Sequence, residues 1–358
     1  MILKRLSLQN FRSYTQKSFS FDPHFTVVVG PNASGKTNLV EAISFLSNGK
    51  SFRTSKEKQV IGFGKSVVHI QALLEDDDDE QKLEVTLSLS QQDFLLKRYL
   101  VNGVSKHRSG FSGNLPTVFF TPLDLIIVSG QPGDKRRFLD EVLEQTDPQY
   151  ATALLSYTKA LRQRNALIEF VQKSGRRDEE RFAYWDNLLI TNGTIVAQMR
   201  EAFIAHLNQQ EKKLFPFMLT YDKSLMSRER LLQYKDAEIG AGVTLVGPQR
   251  DDVIIQSWHP VSKELEDVRY FCSRGQQRLI TLELKNSQIL YLKERLEEQP
   301  LLVLDDIFSE LDSEHIELVL GMTRDFQTIL TTTHKEFLGR IGKDTAVIEL
   351  ESKEHDAI

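Results

Sequence analysis

Gly30-Pro31-Asn32-Ala33-Ser34-Gly35-Lys36-Thr37 reads as a complete G-x-x-x-x-G-K-[ST] phosphate-binding loop. Before it, Thr26-Val27-Val28-Val29 is a short β-branched run of the kind that forms a buried strand. After it, Thr37–Ile43 continues with helical periodicity. Strand, glycine loop and helix N-terminus together aim backbone N–H groups and the positive end of a helix dipole at a polyphosphate. Gly30, Pro31, Asn32, Ala33, Ser34 and Gly35 wrap the phosphates. Lys36 supplies a mobile cation for the β and γ oxygens, and the Thr37 hydroxyl is placed to ligate Mg²⁺. An α/β fold that binds a nucleoside triphosphate follows.

Composition narrows the class. The chain has 358 residues, 40% hydrophobic and 27% charged, with a net charge of −5, as a soluble globular protein would. No run of about eighteen apolar residues and no signal-peptide pattern is present. A single cysteine, Cys272, excludes an internal disulfide and fits a reducing cytoplasm. The acidic run Glu75–Glu80 is read as a solvated hairpin loop. Basic residues cluster at Lys50, Arg53, Lys56 and Lys58, around the Asn102-Gly103 turn signal, and at Lys135, Arg136 and Arg137. An acidic protein can still hold DNA on such a face.

Along the chain, residues 1–120 are strand-rich, with a tight hairpin expected at Asn102-Gly103. From Asp134 to about Glu211 the apolar spacing turns helical, with a break at Ser174-Gly175. Strands are expected at Val243–Val246 and Val253–Ile255, then a helix from about Gly275 to Arg295. The run Leu301-Leu302-Val303-Leu304 ends in Asp305-Asp306, a strand delivering carboxylates at its C-terminal end. That is the Walker B arrangement: Asp305 would hold Mg²⁺ beside Thr37, and Asp306 would orient or deprotonate the attacking water.

Ser273-Arg274-Gly275-Gln276, some twenty residues before that strand, resembles the signature motif of the ABC ATPase superfamily. Ser309–Asp312 resembles its D-loop, and Thr331-Thr332-Thr333-His334 its γ-phosphate switch. The resemblance implies an ABC-type ATPase head. It comprises a first ATP-binding part at 1–120 with an antiparallel β subdomain, an inserted mainly helical lobe at 121–294 carrying the signature, and a second ATP-binding part at 295–358. It also implies that Ser273, Gly275 and Gln276 of one copy cover the ATP held by another, so that dimerisation is ATP-dependent. His334 joins the catalytic set on the same ground.

The interval between Thr37 and Ser273 is long for a transporter subunit and far too short for an SMC coiled coil, and no heptads are present. Leu8–Tyr14, Asp124-Leu125, Arg136–Asp140, Leu161–Asn165, Trp185-Asp186 and Gly247-Pro248-Gln249-Arg250-Asp251-Asp252 resemble the RecF family. Gln249 stands where that family's pattern has His. Membership implies an ATP-dependent DNA-binding dimer of recombinational repair and replication restart. Such a dimer binds single-stranded and gapped or junction DNA, works with RecR and RecO to load RecA, and supports the SOS response. ATP hydrolysis would be slow. Arg12 becomes a candidate to touch the nucleotide. Lys50, Arg53, Lys56, Arg136 and Arg137 are the candidate DNA contacts, to phosphates and without base readout, because no aromatic-interleaved stripe is evident. A nucleotide-gated clamp with incidental hydrolysis and a transporter ATPase subunit are the alternatives. A GTPase is disfavoured by the absence of an Asn-Lys-x-Asp motif.

Overall fold

The computed structural model describes residues 1–54, 56–76, 79–309, 311–337 and 345–351. Asp77 and Asp78 of the acidic run and Glu310 of the D-loop-like segment lie outside them. The chain forms two compact units: Met1–Asp124 with Leu284–Ile358, and Leu125–Glu283. The helix Arg274–Leu296 runs from the second unit into the first, so the division falls inside it, where the sequence placed a boundary at 294.

In the first unit, β1 (Ile2–Phe11), β2 (Tyr14–Ser20), β3 (Phe25–Val29), β4 (Val67–Asp76), β5 (Asp79–Leu89), β6 (Leu95–Val101), β7 (Val104–Lys106) and β8 (Thr117–Phe120) come first. The second unit contributes β9 (Met218–Asp222), β10 (Asp252–Trp258) and β11 (Leu265–Asp267). The chain then returns to the first with β12 (Leu301–Asp305), β13 (Thr328–Thr332) and β14 (Ala346–Glu349).

Two sheets build the first unit. One is antiparallel, in the order β2-β1-β4-β5-β6-β7. Alternation sets its faces: Leu3, Leu6, Leu8, Val68, Ile70, Ala72, Leu83 and Val85 point into the core while their neighbours meet solvent. Asn102 and Gly103, both with positive φ, close the β6–β7 hairpin as expected. The other sheet is parallel, in the order β14-β3-β13-β12-β8. Its β12 is buried at every position, as a strand covered on both faces must be. The helix Lys36–Asn48 lies against strands of both sheets and is buried nearly all round: Leu39, Val40, Ala42, Ile43, Phe45 and Leu46 have no exposed surface. Burying six such side chains stabilises the unit by about 1.5–3 kcal/mol for each large one.

The second unit is mainly helical. Its long pair, Pro148–Ser174 and Glu179–Gln209, packs together, and the first helix ends on Gly175 at φ 68°. Beside the pair lies the small sheet β11-β10-β9. The strand expected at Val243–Val246 is not formed. Side chains take its backbone N–H groups instead: Thr244 N donates to Asn165 Oδ1 (2.9 Å), Leu245 N to Glu238 Oε1 (3.0 Å) and Gly247 N to Ser224 Oγ (3.0 Å). The N–H groups of Thr244 and Leu245 are thus committed to side chains and withheld from a sheet ladder.

Candidate nucleotide site

Strand order decides where the chemistry collects. β3 ends in the glycine loop, β12 ends in Asp305, and β13 runs between them. All three are parallel, so their C-terminal ends present Gly30, Thr332 and Asp305 on one edge of the sheet. Gly30 N donates to Thr332 O (3.3 Å), which ties the loop to β13.

The loop is built to a tight tolerance. Gly35 has φ 107°, and a Cβ there would meet the Tyr14 hydroxyl at 2.6 Å; that hydroxyl donates to Gly35 O (3.1 Å). Burial pushes the Tyr14 phenol up to about 12, so it remains a donor. A Cβ on Gly30 would stand 2.6 Å from Ser34 Oγ and 2.8 Å from Leu350 O. Lys36 is buried, and its Nζ donates to the carbonyls of Gly30 (2.7 Å) and Pro31 (2.9 Å). Burial lowers its pKa, while Asp306 and Asp305 oppose that shift.

Thr37 and Asp306 both lie close enough to Asp305 to act on its carboxyl. Thr331 Oγ1 donates to Asp305 Oδ1 (2.6 Å). Burial raises the Asp305 carboxyl, opposed by hydrogen bonds from Thr331 and Thr37 and by Lys36, and aided by Asp306. Asp306 sits at φ 52°, a conformation that Asp tolerates better than most residues. Its N–H donates to Thr331 O (3.0 Å), and its carbonyl accepts from Ser309 Oγ (2.7 Å). Two polar atoms remain unsatisfied by protein: Ser34 Oγ and Asp306 Oδ1 are buried without a hydrogen-bond partner. Such orphans cost about 1–3 kcal/mol each unless a ligand or water meets them. With one hydroxyl and one carboxylate, the donor set also suits Mg²⁺, which keeps most of its waters and takes phosphate oxygens.

Other expected site residues are held differently. Arg12 is locked: Nε and Nη2 donate to Glu41 Oε2 (2.8 Å) and Oε1 (2.7 Å), and Nη1 to Gln59 O (2.8 Å). Glu41 has no exposed surface and also accepts from Ser51 Oγ (2.6 Å). The sequence did not single out Glu41, although an acid on the buried helix Lys36–Asn48 demands a buried partner. His334 is half-exposed, with Nδ1 3.2 Å from Glu336. Ser273 and Gln276 bond reciprocally: Ser273 N donates to Gln276 Oε1 (2.8 Å), and Gln276 N to Ser273 Oγ (3.3 Å). This is a capping box, so the S-x-G-Q spacing also starts the helix Arg274–Leu296. Cys272 is buried, and burial raises its thiol.

Among the basic candidates, Arg53 and Lys56 are exposed, and Arg53 Nη1 reaches Asn38 Oδ1 (3.5 Å). Lys50 is half-buried. Arg137 is exposed beside Asp134 (3.3 Å). Arg136 is half-buried and donates to Asp251 O (2.5 Å), a brace within the lobe rather than a free cation. Gly247–Asp252 proves to be the hub of that brace. Arg200 Nη1 donates to Pro248 O (2.9 Å), and its guanidinium also holds Asp140 (2.8 Å). The fully buried Asp251 accepts from the Tyr221 hydroxyl and from Ser224 N (2.7 Å).

Relatives place this geometry. Residues 2–356 match the family model described as the RecF/RecN/SMC N terminal domain. The DNA replication and repair protein RecF of Moorella thermoacetica is 34% identical over 346 residues, covering 92% of this chain and 90% of its own. That of Acetivibrio thermocellus is 31% identical, covering 98% and 99%. Among solved structures, the recombination mediator protein RecF with ATPγS, of the RecFOR pathway, superposes with a TM-score of 0.84 at 28% identity over 98% of both chains; its ATP form scores 0.81, covering 93% and 92%. An Smc head bound to the C-terminal winged-helix domain of ScpA shares the fold at 17% identity and a TM-score of 0.50. With its phosphate loop, strand order and Gly247–Asp252 hub in place, the chain belongs to the RecF family of DNA replication and repair proteins.

Proposed function

We propose that the chain is an ATP-gated, DNA-binding dimer of recombinational repair that acts in the cytoplasm on gapped or junction DNA. It works with RecR and RecO to favour RecA loading, and slow hydrolysis sets its release. The carrying observation is the glycine loop, where the buried Lys36 is spent on loop carbonyls while Ser34 Oγ and Asp306 Oδ1 lie unsatisfied beside it. The ATP-bound relatives support the same reading.

In this reading Lys36 exchanges the Gly30 and Pro31 carbonyls for phosphate oxygens, and the loop N–H groups bind the rest. Held by Thr37 and Asp305, Mg²⁺ would supply charge neutralisation at the β and γ oxygens. Asp306 Oδ1 orients the attacking water and accepts its proton; a side chain one methylene shorter than Glu does this less well, hence slow turnover. Ser273, Gly275 and Gln276 of a second copy complete the site, and His334 senses the γ-phosphate. Lys50, Arg53, Lys56 and Arg137 contact DNA phosphates. The hydrogen bond from Arg136 to Asp251 O makes it a brace for the lobe. Arg12, fixed on Glu41, bears on the nucleotide through the helix that carries Lys36.

Sizing the protein with and without ATP, Mg²⁺ and gapped DNA tests this. The expected result is an ATP-dependent dimer that Ser273→Arg abolishes while ATP binding persists. Normal dimerisation of Ser273→Arg would sink the composite site.

A further inference from the structure

Phe63 has no business in water. Its side chain is 101% exposed, on a turn in which Lys65 N donates to Gly62 O (3.0 Å) and Gly64 holds φ +70°. Positive φ at the third residue marks a type II turn, which projects its second residue outward. The turn is also pinned. Gly62 N donates to Asn10 O (2.8 Å), Arg12 N to Val60 O (2.7 Å), and Phe11 bridges Ile61. Leu89 N donates to Ser66 O (2.9 Å), and Lys58 pairs with Asp93 (2.5 Å), so the Ser90–Phe94 turn lies alongside. That second turn presents Phe94, 64% exposed.

Charge identifies the occupant. Residues 50–65 hold five basic side chains, Lys50, Arg53, Lys56, Lys58 and Lys65, against one acid, Glu57, which Lys97 already pairs. This local excess of positive charge stands in a chain of net charge −5. A pre-ordered aromatic beside a basic segment is the pairing that holds unpaired bases: cations take the phosphates and the ring takes a base face.

We infer that Phe63 is a stacking platform for an unpaired base at a single-strand gap, flanked by phosphate contacts from Lys56 and Lys65. This rests on the DNA-binding reading above and adds a base contact where phosphate contacts alone were expected.

The test uses the full chain with ATP and Mg²⁺, on a gapped duplex carrying 2-aminopurine in the gap and on a fully paired duplex of equal length. Phe63→Ala should weaken gapped-DNA binding by about 10-fold. It should also lose the change in 2-aminopurine emission, and leave paired-DNA affinity and the salt slope unchanged. Lys65→Ala should weaken both DNAs and flatten the log–log salt slope. Retained ATP binding by Phe63→Ala verifies the fold. Equal loss on both DNAs, or none, overturns the stacking role. Loss of binding only to phosphatidylglycerol vesicles overturns it in favour of a membrane face. If the unaltered protein binds neither DNA, the DNA-binding reading fails and the stacking role with it.

Discussion

Gln249 departs from the family's pattern, yet its amide does what an imidazole can do. Oε1 accepts from the buried Tyr157 hydroxyl, while Nε2 donates to Val246 O (2.8 Å). Burial keeps the Tyr157 phenol protonated, so it needs an acceptor at every accessible pH. A neutral histidine offers one acceptor and one donor nitrogen, as the amide offers Oε1 and Nε2. Gln249→His is therefore expected to leave stability nearly unchanged. Gln249→Leu strands the Tyr157 hydroxyl and should cost about 1–3 kcal/mol in urea unfolding. Equal stability of the two variants would mean that the hydroxyl finds another partner.

At the scale of an element, the helix Pro132–Thr146 turns two adjacent arginines to different ends. Successive helical residues lie about 100° apart, so Arg136 reaches Asp251 O while Arg137 faces solvent. Arg136→Ala should lower stability by about 1–3 kcal/mol, since it removes a charged donor from a half-buried network. Arg137→Ala should leave the unfolding midpoint alone and reduce the salt slope of DNA binding by about one. The reverse assignment of effects would overturn the brace. Two like residues in sequence gave no means of telling these roles apart, because Asp251 lies more than a hundred positions away. The phosphate loop, the Asn102-Gly103 hairpin and the buried β12 were legible, because local backbone chemistry and apolar spacing determine them. Val243–Val246 misled for the opposite reason. Its β-branched composition says strand, while Asn165, seventy-nine positions away, and Glu238, seven positions away, claim the N–H groups of Thr244 and Leu245. Phe63 was hidden too, since a phenylalanine in sequence is presumed buried until a turn is seen to expose it.

For the whole molecule, the question is whether ATP acts by binding or by being consumed, and two carriers of the nucleotide site separate these. In the proposed function Lys36 holds the triphosphate, so Lys36→Ala should lose ATP binding, the dimer and ATP-dependent DNA affinity together. Asp306, in the proposed function, bears on the water, and its unsatisfied Oδ1 plays no part in holding the loop. Asp306→Ala should therefore still bind ATP and dimerise on gapped DNA, while hydrolysis falls about 10²–10⁴-fold. If hydrolysis sets release, the lifetime of that dimer on gapped DNA, measured after an excess of competitor DNA is added, should lengthen well beyond that of the unaltered protein. Equal lifetimes would instead make the chain a nucleotide-gated clamp in which hydrolysis is incidental.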